Sequence, residues 1–180
     1  MKEIRIHARA GQGAITTAVI LGEAYFLEGK FTYAFPHFGA ARMGAPMNAY
    51  VRCDTKPVIL RSQIYEPDYL IIVDSTLIKD FGCLRGLKED GIAVMSEKEG
   101  IEIPRPKKRQ KFYVVPANRI ALETIARPLG NTVLLGAFSA VTGEIKLESL
   151  IEAVKKRLSG KAAEQNVRAV ERGYEFIKRG

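Results

Sequence analysis

Two glycines near the N-terminus have the type and spacing to bind an anion. Gly11 and Gly13 flank Gln12 directly after an apolar, strand-like run, and a helix-forming segment begins at Ala14. Because neither glycine carries a Cβ atom, a ligand can approach the backbone closely at this turn. The helix that follows directs its unpaired N–H groups and the positive end of its dipole at the turn, which favours a phosphate or carboxylate there.

The side chains around this turn suit the same chemistry. Arg9 supplies a positive charge, Gln12 a neutral donor and acceptor, and Thr16 a hydroxyl in the first helical turn. The pattern is not a dinucleotide fingerprint, because Thr16 stands where the third glycine is expected, and no Walker lysine follows. An ordinary tight turn between a strand and a helix is therefore an open alternative.

A second loop and one acidic residue add candidates. Residues 36–46 form a long connection that is dense in Gly, Pro and Ala and contains Arg42. Such a segment buries little surface and is typical of a functional loop or of one held by a partner. Asp74 follows a continuously apolar run, where α/β proteins place ligand contacts, although it could equally cap the short helix after it.

Hydrophobic periodicity predicts the elements that position these residues. Strands are expected at 4–8, 31–35, 47–52, 69–73, 91–96 and 112–115, and helices at 14–27, 119–127, 132–141, 147–158 and 163–177. The run 69–73 is apolar throughout, as in a central parallel strand covered on both faces. The short connection before 47–52 allows an antiparallel insertion. The pattern predicts a three-layer α/β/α sandwich with a mostly parallel, mixed sheet and a helical C-terminal third, in one domain spanning 1–180.

Several residues receive local roles within these helices. The helix over 14–27 carries a wide apolar band, Ile15 and Val19 included, and is expected to be buried against the sheet. Asn118 is a candidate N-cap, and Gly160 is expected to close the helix over 147–158. Gly136 lies inside a buried helix and indicates close packing against a neighbour.

Composition limits the chemistry that the chain can perform. The two cysteines, Cys53 and Cys83, are far apart and form no Cys-x-x-Cys pair, which argues against a zinc site or an iron–sulfur cluster held by this chain alone. His7 alternates with apolar strand residues and is expected to be a satisfied strand residue. No apolar signal segment precedes the first strand and no run is long enough to span a bilayer, so we expect a cytoplasmic protein with reduced thiols.

The positive charge of the chain raises the question of nucleic acid. The formal net charge is +8, and part of it lies in the basic run 107–111. This run has no interleaved aromatic residues on which bases could stack, and like-charge runs usually form solvated loops. We therefore expect a solvated loop, and nucleic acid is an unlikely partner.

Taken together, the spaced motifs resemble the gamma subunit of 2-oxoacid:ferredoxin oxidoreductases, the pyruvate/ketoisovalerate ferredoxin oxidoreductase family. The resemblance covers nearly the whole chain and rests on motifs in the same order. These are Arg9–Ala18, Ala34–Met47, Val51–Arg52, Asn131–Ala137 and Asn166–Tyr174. The Gly-Ala-Pro version of the second motif is most similar to the pyruvate or branched-chain 2-oxoacid branch.

The resemblance implies a function for the assembly rather than for this chain alone. Such enzymes convert a 2-oxoacid and coenzyme A to an acyl-CoA and carbon dioxide and pass electrons to ferredoxin. The family uses thiamine diphosphate, Mg²⁺ and iron–sulfur clusters, which are implied to lie on companion alpha, beta and delta subunits. This chain would be non-catalytic, with no metal of its own and no membrane contact. Its implied coenzyme-binding residues are Arg9, Gly11, Gln12, Gly13, Thr16 and Arg42.

Two other interpretations remain at this point. A stand-alone coenzyme- or nucleotide-binding α/β protein would explain the strand–glycine–helix start, and would bind coenzyme A or a dinucleotide without partners. A basic nucleic-acid-binding protein would explain the net charge of +8, and would bind with a steep salt dependence.

Overall fold

The computed structural model describes residues 1–38 and 42–179, without the side chain of Phe38. In these residues the strands are β1 (Lys2–Arg9), β2 (Phe31–Phe38), β3 (Pro46–Asp54), β4 (Tyr69–Ile72), β5 (Ile92–Ser96) and β6 (Lys111–Val115). The helices are α1 (Ala14–Leu27), α2 (Leu77–Phe81), α3 (Ala117–Ile125), α4 (Asn131–Thr142), α5 (Leu147–Arg157) and α6 (Gly160–Arg179).

The strands form a single mixed sheet in the order β2-β3-β1-β4-β5-β6. The strand β3 is antiparallel to both β1 and β2, whereas β1, β4, β5 and β6 are parallel to one another. The α/β fold with a mixed sheet and a helical C-terminal part is therefore confirmed, including the antiparallel insertion. The strands β2 and β6 lie at the two edges of the sheet.

The strand β2 is longer than its sequence pattern predicts. It continues to Phe38 because pairing with β3 extends through Pro36 and His37, which the sequence pattern places in the connecting loop. Proline is tolerated here because an edge strand does not need every N–H group. Residues 39–41 of the predicted loop lie outside the described residues.

The two faces of the sheet are covered differently. The main core lies on one face, where alternate strand residues such as Ile4, Ile6 and Ile71 pack against α1, α3, α4, α5 and α6. The other face carries a smaller core around Leu70 and Ile72, covered by the short helix α2 and irregular segments. One outer layer is thus mainly helical and the other mainly loop.

Three local predictions are wrong. Ile15 and Val19 are each 38% exposed, because this side of α1 lies beside the edge strand β2, where the sheet ends. Asn118 does not cap α3, which begins at Ala117; its side-chain oxygen instead accepts a hydrogen bond from the N–H of Gly130 at 3.2 Å. Gly160 does not close α5, because α5 ends at Arg157 and Gly160 is the first residue of α6.

The close packing predicted at Gly136 is confirmed. A Cβ atom at Gly136 would collide with the backbone carbonyl of Val170 in α6. The relation is reciprocal, since a Cβ atom at Gly173 would collide with the carbonyl of Val133 in α4. The helices α4 and α6 therefore touch backbone to backbone. Among the described helices, none has the length and apolar character needed to cross a membrane.

Candidate functional site

The predicted site residues gather where the sheet changes its winding direction. The chain passes from β1 through α1 to β2 on one side, and later returns to place β4 on the other side of β1. The carboxyl ends of β1 and β4 therefore meet at a topological switch point, the usual location of ligand sites in open α/β sheets. Arg9 is the last residue of β1, the glycine turn follows it, and Asp74 lies shortly after β4.

Both glycines of the turn adopt a backbone conformation that side chains disfavour. The φ angles are +97° at Gly11 and +82° at Gly13. Gly13 is the residue immediately before α1, and no side chain caps the helix. A Cβ atom at Gly13 would lie 2.7 Å from Nδ2 of Asn131, the first residue of α4. This position thus needs glycine for its conformation and also for the approach of α4.

A hydrogen-bond network fixes the turn against the end of β4. The Gln12 side chain accepts from the N–H of Arg9 at 2.7 Å and donates from Nε2 to Asp74 Oδ2 at 2.8 Å. Arg9 Nε lies 3.3 Å from the same carboxylate oxygen. Thr76 donates to Asp74 Oδ1 from its hydroxyl at 2.6 Å and from its backbone N–H at 3.1 Å. Asp74 is therefore the centre of the network.

The same network holds the second loop. The N–H of Ala10 donates to the carbonyl of Ala45 at 2.8 Å, and the N–H of Gly44 donates to the carbonyl of Ala10 at 3.2 Å. Arg9 also donates to the carbonyl of Gly44 at 3.2 Å. The two glycine-containing loops are thus joined by their backbones into one surface.

The predicted residues play unequal parts in this surface. Arg9, Gly11, Gln12 and Gly13 lie together. The Arg9 guanidinium forms an ion pair with Asp74 and donates hydrogen bonds to Thr76 and Gly44. Thr16 is half-buried in the first turn of α1. Arg42 is exposed and forms no ion pair with any residue that the structure describes.

Sequence reasoning missed two residues of the site, Thr76 and Asn131. Thr76 had a usable signal, because it belongs to the polar group that follows the central strand β4. Asn131 opens one of the motifs that carry the resemblance, but the sequence does not place it at the turn. Only the packing of α4 against α1 brings its side chain to Gly13 and to the Thr17 hydroxyl, 3.3 Å away. Asp74 does not cap α2, because Thr76 is the N-cap and no side chain caps the helix. Its carboxylate instead binds Gln12, Arg9 and Thr76.

Asp74 should make this surface sensitive to acid. Burial alone would raise the pKa of its carboxyl, but hydrogen bonds from Thr76 and Gln12 and the charge of Arg9 hold the pKa below its ordinary value. The stability it contributes is present above the unfolded carboxyl pKa of about 3.9 and is lost as the pH falls through the lower folded value. We expect Asp74→Asn to lower the free energy of unfolding at pH 7 by roughly 1–3 kcal/mol, with a smaller difference below about pH 4. Urea unfolding of wild type and variant, at pH 7 and again below about pH 4, measures the difference in the free energy of unfolding.

The exposed carboxylate of Asp90 offers a matched control. Asp90→Asn removes the same charge from a surface position and should change the free energy of unfolding by less than about 0.5 kcal/mol. An Asp74→Asn protein as stable as wild type at pH 7 would contradict the role given to this network.

A second buried network lies beneath the turn, on the loop-covered face of the sheet. Arg5 and His7 are both buried in β1, and Arg5 Nε donates to His7 Nε2 at 2.9 Å. The Arg5 guanidinium also donates to the carbonyl oxygens of Ile64 at 3.2 Å and Cys83 at 3.1 Å. His7 is thus a satisfied strand residue, as its sequence context predicts.

His7 should make folding weaken at mildly acidic pH. Burial, with a smaller effect of the Arg5 charge, lowers the pKa of His7 to about 3. Between about pH 6.5 and 3 the His7 imidazole is protonated in the unfolded chain but not in the folded chain, so the free energy of unfolding decreases as the pH falls. We expect a loss of about 2 kcal/mol between pH 7.5 and 5 from this residue. In urea unfolding, His7→Gln should flatten that pH dependence; an unchanged slope would contradict the assignment.

The titratable groups that the structure describes do not form a metal or cluster site. Cys53 and Cys83 are both buried, on β3 and after α2, and burial raises their thiol pKa values to about 11 and about 12. Metal-binding and nucleophilic cysteines need the opposite, a thiolate near neutral pH. Within residues 1–38 and 42–179, no three His, Cys, Asp or Glu residues are placed to hold a metal ion.

The fold and the switch-point site define an α/β protein with a candidate ligand or partner surface at the carboxyl ends of β1 and β4. Residues 3–176 match the family described as pyruvate ferredoxin/flavodoxin oxidoreductase, and the chain belongs to this family. It is 45% identical over 178 residues to the pyruvate/ketoisovalerate oxidoreductases common subunit gamma of Pyrococcus furiosus, covering 97% of this chain and 96% of that protein. It is 43% identical over 182 residues to the pyruvate synthase subunit PorC of Methanothermobacter thermautotrophicus, covering 99% and 97%.

Solved structures agree with this assignment. The pyruvate oxidoreductase subunit PORC from Thermotoga maritima superposes with a TM-score of 0.84 at 37% identity, covering 97% of this chain and 95% of that one. A 2-oxoglutarate:ferredoxin oxidoreductase from Magnetococcus marinus, solved with 2-oxoglutarate, coenzyme A and succinyl-CoA, gives a TM-score of 0.83 at 20% identity. The match covers 99% of this chain and 31% of that longer chain, and shows the shared fold alone. The predicted resemblance to gamma subunits is confirmed.

Proposed function

We propose that this chain is the gamma subunit of a 2-oxoacid:ferredoxin oxidoreductase with pyruvate as its 2-oxoacid. The assembled enzyme would oxidatively decarboxylate the 2-oxoacid, transfer the acyl group to coenzyme A and pass the electrons to ferredoxin. The observation that carries the proposal is the full-length similarity to gamma subunits, 45% identity over 97% of the chain. The full-length relatives support this function rather than a stand-alone coenzyme-binding protein.

Within that enzyme the chain would have a non-catalytic role, as a single domain spanning 1–180. His7 is neutral and buried, and the raised pKa values of the thiols make Cys53 and Cys83 poor nucleophiles and poor cluster ligands. Thiamine diphosphate, Mg²⁺ and the iron–sulfur clusters would therefore be held by the alpha, beta and delta subunits. The buried free cysteines suit the reducing conditions of the cytoplasm, where we place the enzyme.

We assign the joined glycine loops to contact with coenzyme A in the assembly. The first turn of α1 has no side-chain cap and no acidic residue, so its N–H groups and dipole can stabilise a phosphate beside Gly11, Gln12 and Gly13. Arg42, which is exposed and forms no ion pair with a described residue, would supply the positive charge, and Thr16 would act as a neutral donor. Arg9 would act indirectly, since its guanidinium holds the two loops together.

Assembly tests the proposed function. The chain should co-purify with the thiamine-binding and cluster-binding chains encoded beside it, and the assembly, but not the isolated chain, should oxidise pyruvate with ferredoxin. Failure to associate with such chains, or turnover by the isolated polypeptide, would overturn the proposal.

Steady-state kinetics of the assembled enzyme test the coenzyme contact. We expect Arg42→Gln to raise the KM for coenzyme A about tenfold with little change in the KM for pyruvate, because one charge-assisted hydrogen bond to phosphate is lost. Arg105→Gln, in the exposed basic loop, removes the same charge and should leave both constants unchanged. An unchanged KM for coenzyme A in Arg42→Gln would show that the loops serve subunit contacts only.

A further inference from the structure

Among the described residues, large exposed apolar side chains concentrate around one edge of the sheet. Phe26 is 63% exposed and Ile59 is 82% exposed, and four further large apolar residues of α1, β2 and the loop after β3 are also exposed. We call this surface the β2-edge face and define it by Ile15, Val19, Phe26, Phe31, Ile59 and Leu60. Exposed apolar side chains gathered on both sides of one sheet edge point to an interaction site, whereas isolated exposed apolar residues need no explanation.

The helical half of the β2-edge face lies along α1. Ile15, Val19 and Phe26 share one side of the helix with Gly22, since they follow the spacing i, i+4, i+7 and i+11. Gly22 packs against β2, because a Cβ atom there would lie 3.5 Å from the Ala34 Cβ. The three apolar side chains therefore flank the edge strand.

The other half is a loop that packs on the opposite side of β2. The Arg61 guanidinium lies 3.9 Å from the centre of the Tyr33 ring, which places this loop directly over the strand. The buried Arg52 donates to the carbonyl oxygens of Leu60 at 3.4 Å and Ser62 at 2.6 Å, and its Nε pairs with Glu3 at 2.8 Å. The backbone of the loop is thus tied to β3 while Ile59 and Leu60 point outwards.

This construction favours binding. A loop that is already ordered loses little conformational freedom when a partner docks, so its exposed apolar side chains contribute more of their burial to affinity. The edge strand between the two halves also presents backbone groups without a neighbouring strand. The β2-edge face therefore has the features of a prebuilt interface.

The charges of the face indicate which partner it takes. Its carboxylates are engaged within the chain, Asp54 with the N-terminal amine at 3.0 Å and Glu23 with Lys156 at 3.0 Å. The cations Lys56 and Arg61 form no ion pair with any described residue and are exposed. A second copy would bring like charges together, in a chain whose net charge is already +8. The complementary surface is apolar and carries carboxylates.

We propose that the β2-edge face is the surface by which this chain docks on a different subunit of the oxidoreductase, one that presents an apolar patch rimmed by Asp or Glu. This inference rests on the proposed function, because it requires an assembly of unlike chains. Beyond that function, the inference identifies the face that docks, the side chains that anchor it and the chemistry of the partner surface.

Association of the full chain with its co-expressed oxidoreductase subunits tests the proposal. Phe26→Asp and Ile59→Asp, made separately, should each weaken association at least about tenfold, as expected of anchor residues in an interface. The matched control is Leu122→Asp, on α3 near the other edge of the sheet, where the side chain is 52% exposed. The control should associate like wild type, and thermal unfolding should confirm that all three variants fold.

Each alternative outcome overturns a different statement. If wild type fails to associate with any oxidoreductase subunit, the proposed function fails. If wild type associates and both face variants associate equally well, the proposed function stands and the β2-edge face is not the interface. If only Leu122→Asp loses association, the interface lies on the β6 side. If the isolated chain dimerises and the face variants abolish the dimer, the occupant is a second copy. Arg61→Glu should also reduce the salt dependence of association, and an unchanged dependence contradicts the acidic partner.

Discussion

Gly136→Ala should destabilise the protein by about 3 kcal/mol, although alanine is the better helix former. A Cβ atom at this position would run into the carbonyl of Val170, and a backbone oxygen cannot rotate away as a side chain can. The helices α4 and α6 would have to separate, which opens the main core along their shared length. Urea unfolding at pH 7 measures the change.

Gly22→Ala is the control for this prediction. Gly22 also lies inside a helix, but its Cβ atom would meet Ala34 at an ordinary 3.5 Å. We expect this variant to be more stable than wild type by roughly 0.5–1 kcal/mol, from helix propensity alone. If the two substitutions change stability in the same direction, the account of the α4–α6 contact is wrong.

Gly13→Val should be the most damaging change at the candidate site, with a loss of roughly 3 kcal/mol. A side chain in the left-handed region costs about 1–2 kcal/mol, and valine is among the residues least suited to it. Its Cβ atom would also lie 2.7 Å from Asn131 Nδ2, which adds an overpacking cost of about 1–3 kcal/mol. Assembly with the other subunits should weaken as well, because the turn cannot keep its shape.

Two further variants separate these contributions. Gly143→Val has a similar φ of +63° and nothing within 4 Å of its Cβ position, so it should show the conformational cost without the collision. Adding Asn131→Ala to Gly13→Val should recover roughly 1 kcal/mol or more beyond additivity, because it removes the collision. Equal losses in Gly13→Val and Gly143→Val would contradict the tight packing of α4 on the turn.

The hydrophobic pattern of the sequence predicted the strands and helices well where one face or both faces of the element are packed in a core. The central strand β4 was recognisable because apolar residues cover both of its faces, and Gly136 because a glycine in a buried helix needs a close neighbour. Ile15 and Val19 were misjudged because periodicity shows that a helix face is apolar but not whether the sheet extends beneath it. Whether such a face is buried depends on which strand lies at the edge.

The sequence predicted part of the residues at the candidate site but not how they are organised. The glycine turn and Arg42 were visible as motifs, and Asp74 as the end of a strand. The pairing of β1 with β4 brings Asp74 to Gln12 and Arg9, and this pairing spans more than sixty residues of sequence. The contacts of the buried Arg5 and of the buried Arg52 could not be predicted, because most of their partners are loop carbonyls that carry no sequence signal.

Hydrogen–deuterium exchange of the isolated chain and of the assembled enzyme tests the central claim most directly. The claim is that the chain serves by presenting its joined glycine loops to larger neighbours and to coenzyme A. Exchange at residues 10–16 and 42–45 should slow on assembly, and slow further when coenzyme A is added. The claim would be contradicted if, in an active enzyme saturated with coenzyme A, both loops exchanged as fast as they do in the isolated chain.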